Sequence, residues 1–244
     1  MQIVKRTILV TGASSGIGRG VARQLLAEGH QVIGVSRDIR KFGNAQDGFH
    51  LLELDLADLK HLPSKIQGLT QRFPAMDAIV FCAGSGRFGA LEQFSYAQIE
   101  TLMAANFTGQ AFLTRALLPH LKSKARSDLI FIGSEAALKG SRQGAVYCAS
   151  KFAVRGFAQA LREECGKSGL RVALINPGMV KTEFFDDLAF EPGDHESNYI
   201  LPEDVAKTVC YVLDSRAAIV IDEISLSPLN KVVKFKKSST GPAN

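Results

Sequence analysis

Apolar, β-branched runs recur along the chain at Thr7 to Val10, Gln31 to Ser36, His50 to Leu54, Ala78 to Phe81, Leu129 to Gly133, Arg171 to Ile175 and Ile219 to Leu226. Between them apolar residues return every three to four positions, the spacing of a helix with one buried face. Val21, Ala22, Leu25 and Leu26 show it first, and Glu28-Gly29 supplies a glycine stop. Asp58 to Arg72 predicts a second helix. Ser95 opens a long one through Ile99, Leu102, Met103 and Phe107 toward Leu121, with a disturbance near Gly109. Ala145 to Lys167 predicts another, ended by Ser168-Gly169. A last helix starts at Pro202-Glu203-Asp204, where proline and acids suit an N-terminus, and runs through Val205, Val209 and Val212. Short strands alternating with helices predict βαβ units: one α/β domain with a doubly wound sheet of about seven mostly parallel strands and helices on both faces.

Glu183 to Leu201 breaks the alternation. Phe184, Phe185, Phe190, Pro192, Gly193 and several acids have weak periodicity there, which predicts a loop or short helices forming a lid or binding wall. The domain is expected over residues 1–230. From Lys231 on, Lys234, Lys236 and Lys237 precede Ser238-Ser239-Thr240-Gly241-Pro242, the composition of a flexible basic tail over 231–244.

Composition narrows the function classes. The chain has 244 residues, 46% hydrophobic and 22% charged, which is ordinary for a soluble globular protein. Its net charge of +5 is concentrated only in the tail, so no nucleic-acid partner is expected. No apolar run approaches the ~20 residues that cross a bilayer, so no membrane partner is expected either. Cys82, Cys148, Cys165 and Cys210 form neither a CxxC pair nor a disulfide framework and read as reduced, mostly buried thiols. His30, His50, His61, His120 and His195 lack ligand spacing, so no metal is expected. Met1 to Arg6 runs straight into a strand without a signal-peptide pattern, and a cytoplasmic location is the expectation.

Two motifs carry chemistry. Gly12, Gly16 and Gly18 follow a strand and open a helix, so backbone can approach a pyrophosphate and the helix N-terminus offers N–H groups to it. Tyr147 and Lys151 are four apart on a helix and therefore share a face. A phenol in reach of a carbonyl oxygen can protonate it. A neighbouring ammonium is expected to lower the phenol pKa from about 10.

The series Thr11-Gly12-xxx-Gly16-x-Gly18, Asn106, Ser134, Tyr147-xxx-Lys151 and Pro177-Gly178 resembles the short-chain dehydrogenase/reductase family, from about Thr7 to Leu226. The resemblance implies a Rossmann fold and a catalytic set of Asn106, Ser134, Tyr147 and Lys151. In it Tyr147 moves the proton, Ser134 holds the substrate oxygen, Lys151 also bonds the nicotinamide ribose, and Asn106 holds a water that links Lys151 to solvent. Ser14, Ser15 and Ile17 would complete the pyrophosphate cradle. Asp55 and Leu56 would border the adenine and Ala83-Gly84 the ribose. Pro177, Gly178, Val180 and Thr182 would lie under the nicotinamide and fix its carboxamide. Phe81-Cys82 departs from the family's usual Asn-Asn, which puts the local bracing of neighbouring strands in question.

At the end of the second strand Ser36 stands where NAD-dependent members carry Asp, with Arg37 beside it. A guanidinium matches a 2′-phosphate, so NADP(H) is predicted. Asp38 would take the acidic role if the strand ran one residue longer. The expected activity is interconversion of a carbonyl and a secondary alcohol on a small-molecule substrate, a small ketone or a 3-hydroxy/3-oxo acid. For a carboxylate, Arg142 or Lys139 would be the basic partner. The class alternative is a non-catalytic dinucleotide sensor on the same fold. An epimerase or dehydratase is disfavoured by the glycine spacing. The resemblance also implies a homo-dimer or homo-tetramer built on the long helices after the fourth and fifth strands.

Overall fold

The structure is a computed structural model that describes residues 5–42 and 47–236. Seven strands form one parallel sheet: β1 (Thr7–Thr11), β2 (Gln31–Ser36), β3 (Phe49–Glu53), β4 (Met76–Phe81), β5 (Ser127–Ile132), β6 (Leu170–Pro177) and β8 (Glu223–Leu226). Their order is β3-β2-β1-β4-β5-β6-β8. Successive residues of a strand face opposite sides, and β1 shows the consequence. Leu9 enters a cluster with Leu113, Leu117, Val154 and Leu161, whereas Ile8 and Val10 enter one with Val21, Leu25, Val205 and Val209. The first cluster packs α5 (Gly109–Lys122) and α6 (Ala145–Cys165) on one face; the second packs α1 (Gly16–Ala27) and α7 (Pro202–Asp214) on the other.

Several elements differ from the sequence reading for local reasons. The expected helix over Asp58 to Arg72 is split into α2 (Leu62–Ile66) and α3 (Leu69–Arg72), because Gly68 between them adopts φ +81°. The long helix from Ser95 is α4 (Tyr96–Met103), then a π-helical turn over Ala104–Thr108, then α5. The shift lies where expected. A Cβ on Gly109 would stand 2.0 Å from the Leu56 carbonyl oxygen, so only glycine lets this helix lie so close to the segment after β3. The last parallel strand begins at Glu223, not Ile219.

The segment after Leu226 departs most. Where a free tail is expected from 231, β9 (Val233–Phe235) pairs antiparallel with β7 (Phe190–Pro192) inside the irregular stretch, in the register Phe190↔Phe235, Glu191↔Lys234, Pro192↔Val233. Of the lysines that suggest a solvated tail, Lys234 lies against Glu191 and Asp194 of that stretch, Lys236 donates to its Phe185 and Asp186 carbonyls and Lys231 pairs with Glu135, and pairing of this kind has no local sequence signature. The remaining tail residues, Lys237 and Ser238 to Pro242 among them, lie outside the described residues.

Away from the site, at the amino ends of the strands, Arg6 and Arg171 hold Asp128 between them, Arg6 Nη1 to Oδ2 at 2.7 Å and Arg171 Nε to Oδ1 at 2.7 Å, and Arg6 also meets Asp77 at 3.1 Å. This ties β1's approach, β4, β5 and β6 together. The four cysteines are free thiols. Among the described residues no helix is long and apolar enough to cross a membrane.

Candidate active site

The strand order reverses between β1 and β4, and ligands of open parallel sheets bind at the carboxyl ends beside such a point. The glycine turn lies there. Gly12 has φ +67°, and a Cβ on it would stand 2.9 Å from the Ala83 Cα; Gly16 has φ +47°. A Cβ on Gly18 would stand 2.2 Å from the Gly12 carbonyl oxygen, so glycine is what lets α1 start directly against β1. Thr11 Oγ1 accepts from the Cys82 and Ala83 amides, at 3.1 and 3.0 Å, fixing the end of β4 to β1.

The N-terminus of α1 faces an anion supplied by the chain itself. Gly16 N donates to Glu183 Oε2 at 3.2 Å, and Arg19 Nη1 meets Glu183 Oε1 at 3.2 Å. Ser15 is the N-cap without a side-chain cap bond, Ile17 is half-buried behind it, and Thr182 lies against Gly16, its Cβ and Cγ2 each 3.3 Å from the position of a Gly16 Cβ. Glu183 is a site residue that the sequence reading missed; no motif marks it. An open cavity of about 370 Å³ beside this turn is bordered by Arg19, Arg23, Lys181 and Thr182. A narrow turn with accessible amides and cations around it fits a dinucleotide pyrophosphate.

At the end of β2, Ser36 Oγ donates to Ser14 Oγ at 2.8 Å, joining the glycine turn to the strand end. Asp38 is held by Arg40, Nε to Oδ1 at 2.8 Å, and that guanidinium keeps its carboxyl below the usual range. Arg37 is exposed and has no ion pair among the described residues. Asp55 accepts from the Ala57 amide at 2.9 Å, and Leu56 is buried under the start of α5.

The four chemical candidates converge from three elements. Ser134 follows β5, Tyr147 and Lys151 share the inner face of α6, and Asn106 lies in the π-helical turn. Asn106 is fully buried and fixed on both sides: its Oδ1 accepts from the Ser85 amide at 2.8 Å, and its Nδ2 donates to Ser85 O and Ser150 Oγ, each at 3.0 Å. Ser150 is a second residue missed from sequence, although it adjoins Lys151. Lys151 Nζ donates to Ile132 O at 3.1 Å and stands 5.9 Å from the centre of the Tyr147 ring. A Cβ on Gly84 would lie 3.2 Å from Asn106 Oδ1 and 3.7 Å from Lys151 Nζ, which brings the end of β4 into the same space.

Electrostatics correct one expectation. Burial pushes the Tyr147 phenol up to about 12, against a smaller lowering by the nearby Ser134 hydroxyl. Burial likewise pushes Lys151 down to about 8. Desolvation thus outweighs any help from the ammonium, and the phenol is protonated at neutral pH rather than lowered in pKa.

Aromatic rings surround Tyr147. Phe88 lies 5.0 Å from it and Phe184 6.0 Å, centre to centre, and a Cβ on Gly86 would meet the Phe184 ring at 2.2 Å. Phe88 had no signal in the pattern. Glu135, next to Ser134, is paired with Lys231 at 2.5 Å, while Arg142 and Lys139 are exposed and make no ion pair among the described residues. Pro177 ends β6, Gly178 N donates to Leu226 O at 2.8 Å, Val180 bridges to Ile200, and Thr182 Oγ1 accepts from Phe184 N at 3.3 Å.

The departure at Phe81-Cys82 is compensated. Phe81 stacks on its register partner Phe131 with ring centres 4.6 Å apart and planes 4° from parallel, so apolar stacking joins β4 to β5. Gln110 Nε2 donates to Ala83 O at 3.0 Å and braces the strand end from α5.

Comparison with known proteins bears on the family and the fold. An NADP-dependent 3-hydroxy acid dehydrogenase of Schizosaccharomyces pombe is 30% identical over 243 residues, covering 91% of this chain and 92% of the relative. An uncharacterized oxidoreductase of Staphylococcus aureus strain MW2 is 27% identical over 232 residues, 93% of this chain and 99% of the relative. Among solved structures, an alcohol dehydrogenase from the archaeon Thermococcus sibiricus, complexed with 5-hydroxy-NADP, superposes with a TM-score of 0.84 at 22% identity, covering 94% of this chain and 99% of the other, which supports the fold. The short chain dehydrogenase family pattern matches residues 6–191, and the chain accordingly belongs to the short-chain dehydrogenase/reductase family of oxidoreductases.

Proposed function

We propose that the protein uses NADP(H) to interconvert a small carbonyl compound and its secondary alcohol, with Tyr147 as general acid and base. The observation that carries this reading is the convergence of Ser134, Asn106, Tyr147 and Lys151 on one space beside the glycine turn, with Lys151 Nζ 5.9 Å from the centre of the Tyr147 ring and Asn106 bonded to Ser150 next to Lys151. The nicotinamide, when bound, supplies or accepts the hydride. Ser134 orients the substrate oxygen, Tyr147 gives it a proton, and Lys151, positioned by its bond to Ile132 O, supports the charge left on the phenol. Asn106, locked by Ser85 and Ser150, keeps the floor of the site in place.

NADP(H) rather than NAD(H) is favoured by Arg37, which is available at the end of β2, and by Asp38, whose carboxylate is already taken by Arg40. The 30% identical Schizosaccharomyces pombe relative is named as NADP-dependent and points the same way. Gly12, Ser14, Ser15, Gly16, Ile17 and Gly18 would hold the pyrophosphate, Ser36 and Arg37 the 2′-phosphate, Asp55 and Leu56 the adenine, Ala83 and Gly84 the ribose, and Pro177, Gly178, Val180 and Thr182 the nicotinamide. The name of that relative also supports a 3-hydroxy acid, whereas Phe88 and Phe184 favour an apolar substituent on the carbonyl carbon. Phe112 on α5 and Phe152 on α6 are exposed large apolar residues on the helices where a homo-dimer or homo-tetramer would form.

Paired titration with NADPH and NADH, followed by turnover of ketones, 3-oxo acids and diketones, tests the reading. Tighter NADPH binding with oxidation by one substrate class is the expected result. Equal or absent binding of both nucleotides overturns it.

A further inference from the structure

We propose that residues 231–236 are a strap that fixes the aromatic wall beside Tyr147 and thereby selects small carbonyl substrates with an apolar substituent, a proposal that rests on Tyr147 being the proton donor. The stretch from Glu183 to Leu201 holds only two short 3-10 turns and the three-residue β7. A strand of that length without a partner has no ladder to order it. Its partner is β9, and the backbone bonds extend beyond the paired strands. Asn230 N donates to Ser197 O at 2.9 Å, Gly193 N to Val232 O at 3.0 Å, and Lys236 N to Ala189 O at 2.8 Å.

Three lysines add charge to the ladder. Lys234 Nζ meets both oxygens of Asp194 at 2.9 and 3.0 Å, Lys236 Nζ donates to the carbonyls of Phe185 and Asp186, and Lys231 Nζ meets Glu135 beside Ser134. From the strap to the phenol the path is short. Phe190, opposite Phe235 in the ladder, packs edge-on against Phe88 at 5.0 Å, and Phe88 packs on Tyr147. Phe190 also meets Phe185, which meets Phe184, the second ring on Tyr147. Among the described residues, none of 231–236 hydrogen-bonds to the glycine turn, so the strap acts on the substrate side of the site. A carboxylate entering beside Ser134 would meet Glu135, and Lys231 is already engaged with that acid.

The test compares the full chain with a variant ending at Asn230 and with Lys234→Asp, alone and combined with Asp194→Lys. Hydrogen exchange over 184–199 should quicken roughly tenfold without the strap, with the parallel sheet unchanged. NADPH affinity should stay within about twofold, KM for a short ketone should rise roughly tenfold with kcat within about twofold, and preference for short over bulky ketones should fall. Lys234→Asp should move in the same direction, and Asp194→Lys should restore it. Unchanged exchange and KM in a folded truncation, or no rescue by the second charge, overturns the strap. Should the truncation fail to fold, the charge exchange decides. If the full chain turns over no carbonyl with NADPH, the proposed reaction fails, and hydrogen exchange still judges the strap by itself.

Discussion

Tyr147 is 7% and Lys151 6% exposed, and that burial decides their protonation. With the phenol at about 12 and the ammonium at about 8, the resting pair is a protonated acid beside a cation that titrates first. Carbonyl reduction needs both protons in place. Raising the pH removes the Lys151 charge before it touches the phenol, so kcat/KM for reduction should fall above pH about 8; a profile flat to about pH 10 would contradict this assignment. Tyr147→Phe should lower kcat by about 10²- to 10⁴-fold while NADPH binding, followed by fluorescence, stays unchanged. Arg37 acts at the far end of the same ligand. Replacing it with alanine should weaken NADPH by about tenfold to a hundredfold, the worth of a charge-assisted contact, and leave NADH affinity as it was.

At the scale of elements, the joint between β1, β4 and α1 governs the cofactor side. Gly18→Ala places a methyl 2.2 Å from the Gly12 carbonyl, which forces α1 away from the strand end, so both melting temperature and NADPH affinity should drop. Across the sheet, Phe81 and Phe131 replace a polar brace with a stacked pair in register. Phe81→Ala should cost about 3–5 kcal/mol in urea unfolding, since both rings are fully buried and a cavity would remain. A loss under about 1 kcal/mol would mean that the site collapses freely. The π-helical turn is the element that aims Asn106: one extra residue in the helix turns its carboxamide to Ser85 and Ser150. The stack has no periodic signature, because it depends on a partner brought close by the fold.

Across the whole molecule, the carboxyl ends of the strands carry the chemistry and the amino ends carry an ionic clasp. Asp128 is buried between Arg6 and Arg171, which are far apart in the chain. Breaking a buried pair leaves uncompensated charge, so Asp128→Asn should destabilise by about 3–5 kcal/mol with NADPH affinity of the folded protein unchanged. Equilibrium unfolding and titration of the same sample check both halves. The separation explains how a site can be held open at one end of the sheet while the other end is closed by ion pairs.

By itself the sequence determined the βαβ alternation, the glycine turn, the four-residue spacing of Tyr147 and Lys151 and the helix disturbance near Gly109, because each is set by residues close in the chain. Strand Gln31–Ser36 coincides with its hydrophobic run, and the loop from Glu183 is irregular as its weak periodicity implies. Tertiary structure alone decided what comes from distant residues. Glu183 reaches the N-terminus of α1, Phe88 covers Tyr147, Gln110 braces Ala83, and Lys231 to Lys236 leave the expected free tail to pair with β7. Burial was the deciding quantity at the phenol: proximity in sequence promised a lowered pKa, and desolvation, which only the packed site creates, raised it.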